Sequence, residues 1–187
     1  MRRLKTLYLA GPDRSYPDAE ALIGRKRALC TAAELTARLA GDEVSLSTTA
    51  GELQAREIYA GTLANLRACD AVVANLTPWR GPACDPATAF EVGFASALGK
   101  PVLAYLNVED EDDADYRSRV EGWLGAMPDE AGVWRDPDGC AVDDLDLPDS
   151  PLLWAEARRL FVIVTPDPLG DVTGLELCLE ALKDWDD

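Results

Sequence analysis

The sequence predicts an α/β fold, an open parallel sheet with helices packed on it. Short apolar segments alternate with helix-length segments through the first 106 residues, the pattern of successive β-α-β crossovers. One of the apolar segments, Ala71-Val-Val-Ala-Asn-Leu76, is apolar almost throughout, as a parallel strand covered on both faces must be.

Residues 4–10 form an apolar run stopped by Gly11-Pro12, which reads as a buried first strand and a turn. Residues 17–40 follow as a helix. Ala21, Leu22, Leu29, Ala32, Ala33, Leu35 and Leu39 make its apolar stripe, and Gly41 closes it. A brief second strand is expected over 43–47. A second helix spans 51–69, with Ile58, Leu63 and Leu66 on one face, and 71–76 is the third strand. After a Pro- and Gly-rich loop, 77–85, a helix runs over 86–98 with Pro86 at its start and Gly99 at its end. Residues 101–106 are the fourth strand. Beyond them, 109–115 is an acidic loop, 116–124 a helix, and 133–139 a set of turns. A helix running into a strand covers 152–164, and 173–183 is a terminal helix. No repeat or linker divides the chain, so 1–187 is expected to be one domain.

Asp plus Glu number 34 against 18 Lys plus Arg, a net charge of -16. A field of that sign repels a nucleic-acid backbone, so no nucleic-acid partner is expected. The chain has no histidine, which removes Ser-His-Asp and Cys-His sites, His-ligated zinc and an imidazole base. Cys30, Cys69, Cys84, Cys140 and Cys178 are odd in number and widely spaced with no CxxC. They read as reduced thiols in a cytoplasmic protein. The N-terminus lacks the apolar core of a signal peptide and reads as a first strand. No apolar stretch approaches the roughly 18 residues of a membrane span, so no membrane partner is expected. The acidic stretches 109–115 and 143–149 lack the glycine of a calcium loop and read as solvated loops. No cofactor or metal is called for.

Ligands of open α/β sheets bind at the carboxyl ends of the strands. The segments there are 10–13, 47–49 and 75–85. Ala10-Gly-Pro-Asp13 is not a phosphate loop, because it lacks both glycine fingerprints and Pro12 removes a backbone donor. Gly11-Pro12 either simply ends the strand or lets a ligand approach the backbone. Asn75, at a strand end, is as readily a ligand-facing amide as a structural one. Trp79 is a stacking surface, a lid or a packing plug. Cys84 has no base beside it that would make it a nucleophile, and Asp70 reads as a capping or pairing residue. Glu91 lies among Ala87, Ala89, Phe90, Val92, Phe94 and Ala95 in the first turns of its helix. A carboxylate in such company is desolvated and needs a partner or a task. Gly93, two residues on, makes close packing or room for a ligand.

Leu7-Tyr-Leu-Ala-Gly-Pro-Asp13, Cys69-Asp-Ala-Val-Val-Ala-Asn-Leu-Thr-Pro-Trp-Arg-Gly-Pro82, Asp85-Pro-Ala-Thr-Ala-Phe-Glu-Val-Gly-Phe-Ala95 and Leu98-Gly-Lys-Pro-Val102 occur in that order. Together they resemble the nucleoside 2-deoxyribosyltransferase family over about the first 106 residues; 107–187 match loosely. The resemblance implies a flavodoxin-like open parallel sheet of about five strands with helices on both faces. It implies exchange of the base of a 2′-deoxyribonucleoside for a free base, without a cofactor, by a homo-oligomer (dimer or hexamer) whose neighbour completes the pocket. The family's nucleophilic glutamate falls on Glu91, its base-contacting aspartate on Asp85, and the tyrosine that orients the nucleophile on Tyr8. The expected substrate-facing residues are Gly11, Pro12, Asp13, Asn75, Thr77, Trp79, Gly81 and Thr88. Thr62 and Ser150 stand where the family has an Asp or Asn contact and a cross-subunit Asn, and Ala87 stands for a common Gly.

The implied chemistry is double displacement through a deoxyribosyl-glutamate. Asp85 serves the departing base as proton donor, with its pKa expected above that of Glu91. Two alternatives stay open. One is a nucleoside or nucleotide N-glycosidase, for which Arg14 and Ser15 would be the phosphate donors. The other is a non-catalytic nucleoside-binding domain.

Overall fold

The computed structural model describes residues 4–42 and 51–183. Its main sheet has five strands, all parallel: β1 (Thr6–Ala10), β2 (Thr36–Leu39), β3 (Ala71–Asn75), β4 (Val102–Val108) and β7 (Leu160–Val164). The spatial order is β2-β1-β3-β4-β7. The chain therefore reverses direction of travel between β1 and β3, the switch point where such sheets leave a crevice.

The helices are α1 (Ala19–Ala32), α2 (Glu52–Ala68), α3 (Pro86–Ala97), α4 (Tyr116–Leu124), α5 (Pro151–Glu156) and α6 (Thr173–Lys183). The strands β5 (Met127–Pro128) and β6 (Trp134–Arg135) make a small antiparallel hairpin where turns were expected. Two cores sandwich the sheet. Leu7, Leu9, Val73 and Leu103 pack against Cys30 of α1 and Leu175, Cys178 and Leu179 of α6. Tyr8, Ala10, Val72 and Ala74 pack against Leu66 of α2, Val92 and Ala95 of α3 and Leu153 of α5. Period-two alternation along β1 thus decides which face Tyr8 serves.

One expected element is corrected. The helix expected over 17–40 ends at Ala32, and its last residues are β2. Glu34 takes a left-handed φ of 59° and turns the chain. Leu35 and Leu39 fit a helical stripe, but Leu35, Ala37 and Leu39 fit strand alternation equally well, and all three enter the α1–α6 core. Pairing with β1, Thr6 to Thr36 through Leu9 to Leu39, overrides the helical propensity of Ala-Ala-Glu-Leu. The strand expected at 43–47 and the segment 47–49 lie outside the described residues. In α2, Leu63 and Leu66 are buried as expected, whereas Ile58 is exposed. Asp70 ties down the start of β1, accepting from the Lys5 and Thr6 amides at 2.9 Å. Among the described residues no helix is long and apolar enough to cross a membrane.

Candidate active site

The site begins with the strand order. Because β1 and β3 are neighbours, the β1–α1 turn, the end of β3 and the start of α3 meet at one edge of the sheet. Gly11 is required there by close approach: a Cβ on it would lie 2.9 Å from the Asn75 Cβ.

Glu91 sits in the second turn of α3 and is 5% exposed. The Tyr8 hydroxyl, from the centre of β1, donates to its Oε1 at 2.7 Å. Burial pushes the Glu91 carboxyl up to about 7; the Tyr8 hydrogen bond opposes this and the negative charge of Asp85 adds to it. No Lys or Arg pairs with Glu91 among the described residues. The Tyr8 phenol is held protonated by its burial and then by Glu91, while the Thr62 side chain, also buried, hydrogen-bonds to it and eases that shift. Tyr8, Glu91 and Thr62 therefore form one buried cluster.

Asp85 is the N-cap of α3. Its Oδ2 accepts from the Thr88 amide at 3.0 Å and from the Thr88 hydroxyl at 3.1 Å, with Pro86 in the first turn. This is a sound helix start. It commits one carboxylate oxygen, and Thr88 with it, to holding Asp85 in place. Glu91 is the deeper of the two, and it is Glu91 that is pushed upward, with Asp85 as one of the causes.

The β1–α1 turn carries a second buried network. Asp13 is ion-paired with Lys26 and accepts from the Asn75 amide at 2.9 Å. The Lys26 ammonium also donates to the Tyr105 hydroxyl at 2.7 Å. Burial lowers the Lys26 pKa, against the pull of Asp13. Asn75 accepts in turn from the Thr77 amide at 3.1 Å. Pro12 is buried, and its carbonyl closes the turn by accepting from the Ser15 amide at 2.7 Å. Tyr16 ends this segment with its ring 5.2 Å from that of Trp79.

Thr77 accepts from the Asn107 amide at 3.1 Å and lines a cleft of about 350 Å³ with Asn107, Arg119 and Trp123. Gly81 lies in the 77–85 loop, next to Arg80 with its left-handed φ of 56°. Ser150 is the N-cap of α5; the neighbouring Asp149 carboxylate accepts a hydrogen bond from the Cys84 backbone, so this segment lies against the approach to Asp85. Arg14 is spent on the Ala40 carbonyl and on Asp42 at 2.6 Å, which takes it away from phosphate binding. Burial pushes the Cys84 thiol up to about 12, leaving it protonated and a poor nucleophile.

Sequence reasoning missed Lys26, Tyr16, Tyr105 and Arg119. Lys26 was findable, since it interrupts the i, i+4, i+8 run Leu22, Lys26, Cys30, the buried face of α1. Arg119, 1% exposed, ties together the carbonyls of Pro82, Asp113 and Pro148. Nothing in its local sequence announces contacts with three separate segments.

A family model described as nucleoside 2-deoxyribosyltransferase matches residues 7–152. Among solved structures the chain is similar to a 2-deoxyribosyltransferase from Leishmania mexicana, with 26% identity and a TM-score of 0.65 over 94% of this chain and 97% of that one. It is also similar in fold to a conserved protein from Enterococcus faecalis V583, with 18% identity and a TM-score of 0.55 over 97% and 98% of the two chains. No curated protein sequence matches it.

Proposed function

The chain belongs to the nucleoside 2-deoxyribosyltransferase family, and we propose that it exchanges the base of a 2′-deoxyribonucleoside for a free base, with Glu91 as the nucleophile. The observation that supports this most is the Tyr8–Glu91 pair. It is a buried carboxylate near a helix start with a hydroxyl donor on one oxygen and, among the described residues, no cation to neutralise it. A carboxylate so placed ionises near neutral pH, as a nucleophile working at pH 7 must.

In the first half-reaction a Glu91 oxygen bonds to C1′ as the C1′–N bond breaks. The bond's electron pair leaves with the base, which takes up the proton carried by the Asp85 carboxyl. In the second half-reaction a nitrogen of the acceptor base bonds to C1′. It gives up its proton to the Asp85 carboxylate, and the Glu91 carboxylate is released. Two displacements retain the configuration. Tyr8 holds Glu91 in one orientation and keeps its ionised form accessible. The Asp85 oxygen not held by Thr88 faces the task of contacting the base. Gly11, Pro12, Asp13 and Asn75 wall the pocket at the β1 and β3 ends, and Trp79 covers it. Thr62 acts through Tyr8, and Thr88 through Asp85. Ser150, Thr77 and Gly81 shape the loops around the pocket.

Incubating a deoxynucleoside with a different free base tests this reading. The mixed nucleoside should form with wild-type protein and fail to form with Glu91→Ala. Free deoxyribose regardless of acceptor would replace transfer by hydrolysis, and turnover by the variant would remove Glu91 from the mechanism. A nucleotide substrate is disfavoured by the commitment of Arg14 to Ala40 and Asp42. The proposal extends to a homo-oligomer in the cytoplasm. Tyr59 and Phe90, with rings 6.2 Å apart, are exposed on adjoining helices, and self-association would cover them. Sedimentation at the mass of a single chain would contradict it.

A further inference from the structure

Tyr16 is 5% exposed, and its buried hydroxyl proton has no acceptor among the described residues. Buried phenols nearly always find one, because leaving the group dry and unpaired costs folding free energy. The Asn75 side chain acts on the phenol as a hydrogen-bond donor, which leaves the O–H proton itself to find an acceptor, and the Asn75 oxygen already accepts from the Thr77 amide. Asp13 is taken by Lys26 and Asn75, and the held oxygen of Asp85 is taken by Thr88. Burial first, and then the charges of Asp13 and Asp85, keep the Tyr16 phenol protonated, against the pull of the Asn75 hydrogen bond. The group is thus a neutral O–H donor within reach of the Asp85 field, beneath the tilted Trp79 ring 5.2 Å away.

We propose that Tyr16 is a specificity-determining residue of this site, whose hydroxyl donates a hydrogen bond to an acceptor atom of the bound base. The ligand chemistry follows from the neighbours. Two carboxylates disfavour an anionic ligand group at this position. A lone donor with no competing acceptor selects a neutral ring nitrogen or a carbonyl oxygen. Trp79, half-buried, supplies flat apolar surface for a planar heterocycle, and Asp85 supplies the second polar contact. As the C1′–N bond breaks, negative charge grows on the base, so a donor to its acceptor edge binds more strongly in the transition state than in the ground state. This inference rests on the proposal that Glu91 attacks C1′ with the base lying toward Asp85.

The test compares Tyr16→Phe with wild type and Glu91→Gln, all as the full chain. Thermal unfolding without ligand should show Tyr16→Phe equal to or more stable than wild type, since the hydroxyl proton has no acceptor to lose. A clear fall in Tm would mean the hydroxyl proton has a structural acceptor and would overturn the proposal. Calorimetric titration with adenine, hypoxanthine, cytosine and thymine should show at least one base bound about 3- to 10-fold more weakly by the variant. In base exchange kcat should fall about tenfold or more, with KM changed less than kcat. Unchanged base affinity and unchanged kcat, in the presence of turnover that Glu91→Gln abolishes, would remove Tyr16 alone. Turnover that survives in Glu91→Gln, or a wild-type chain that neither binds nor exchanges any base, would remove both proposals.

Discussion

The Tyr8 hydroxyl donates a 2.7 Å hydrogen bond to Glu91 Oε1 across 83 residues of chain. The bond joins the middle of the second strand in the sheet order to the second turn of a helix that follows the third. Tyr8 sits on the α3 side because alternation along β1 puts Leu7 and Leu9 on the other face. Register therefore decides whether Glu91 has a partner at all: a one-residue slip in β1 would turn the phenol toward α1 and α6.

Burying Glu91 without a cation should make the fold sensitive to its charge. Below about pH 4.5, the ordinary value, both the folded and the unfolded chain carry the protonated acid, and folding bears no penalty. As pH rises toward the folded value of about 7, the unfolded chain ionises first and the native state loses relative stability. Each pH unit in that window costs about 1.4 kcal/mol. Glu91→Gln removes the titration, so its stability gain over wild type should grow from about pH 4.5 and level off above about pH 7. The plateau should be about 3–4 kcal/mol. Urea unfolding at a series of pH values reads this directly, and parallel stability curves for the two proteins would contradict it.

The same group should set the alkaline-rising limb of the rate. If Glu91 must be ionised, kcat/KM for base exchange should rise with pH through about 7. Asp85 raises the Glu91 pKa and the Tyr8 hydrogen bond lowers it, so the two variants should move the limb in opposite directions. Asp85→Asn retains a helix-capping side chain and should move the limb to lower pH while reducing kcat. Tyr8→Phe should move it to higher pH. Shifts of about half a unit to one unit are expected. A limb that both variants leave in place would show that another group controls the rate.

Lys26 and Asp13 form an ion pair in which both side chains are almost wholly buried. Removing one partner strands the other charge, so Lys26→Met and Asp13→Asn should each cost about 3–5 kcal/mol. The double variant should be less destabilised than the sum of the two, by about 1–3 kcal/mol. Denaturant unfolding of the four proteins gives the coupling. Additive losses would mean that Lys26 and Asp13 do not depend on each other.

Much of the architecture was legible from periodicity and punctuation. The helix expected over 116–124 matches α4, and that over 173–183 matches α6; the apolar 71–76 contains β3. Pro86 and Gly99 bracket α3 closely. The stretch 33–40 was not legible, because its apolar spacing satisfies a helix and a strand together, and only the exposed edge of β1 chooses between them. The Thr77–Asn107 contact was hidden for a similar reason: Asn107 lies 30 residues on in another strand.

By itself, the amino-acid sequence determined the alternating α/β order, the lack of imidazole chemistry and the presence of one acid, Glu91, in an apolar helix. Tertiary structure alone decided that Tyr8 reaches that acid, that Lys26 neutralises Asp13, and that Tyr16 is left with an unspent donor. The physical reason is range. Periodicity and capping act over a few neighbouring residues, whereas these three relationships depend on strand register and burial between segments far apart in the chain, and burial is what makes a carboxylate or a phenol worth noticing.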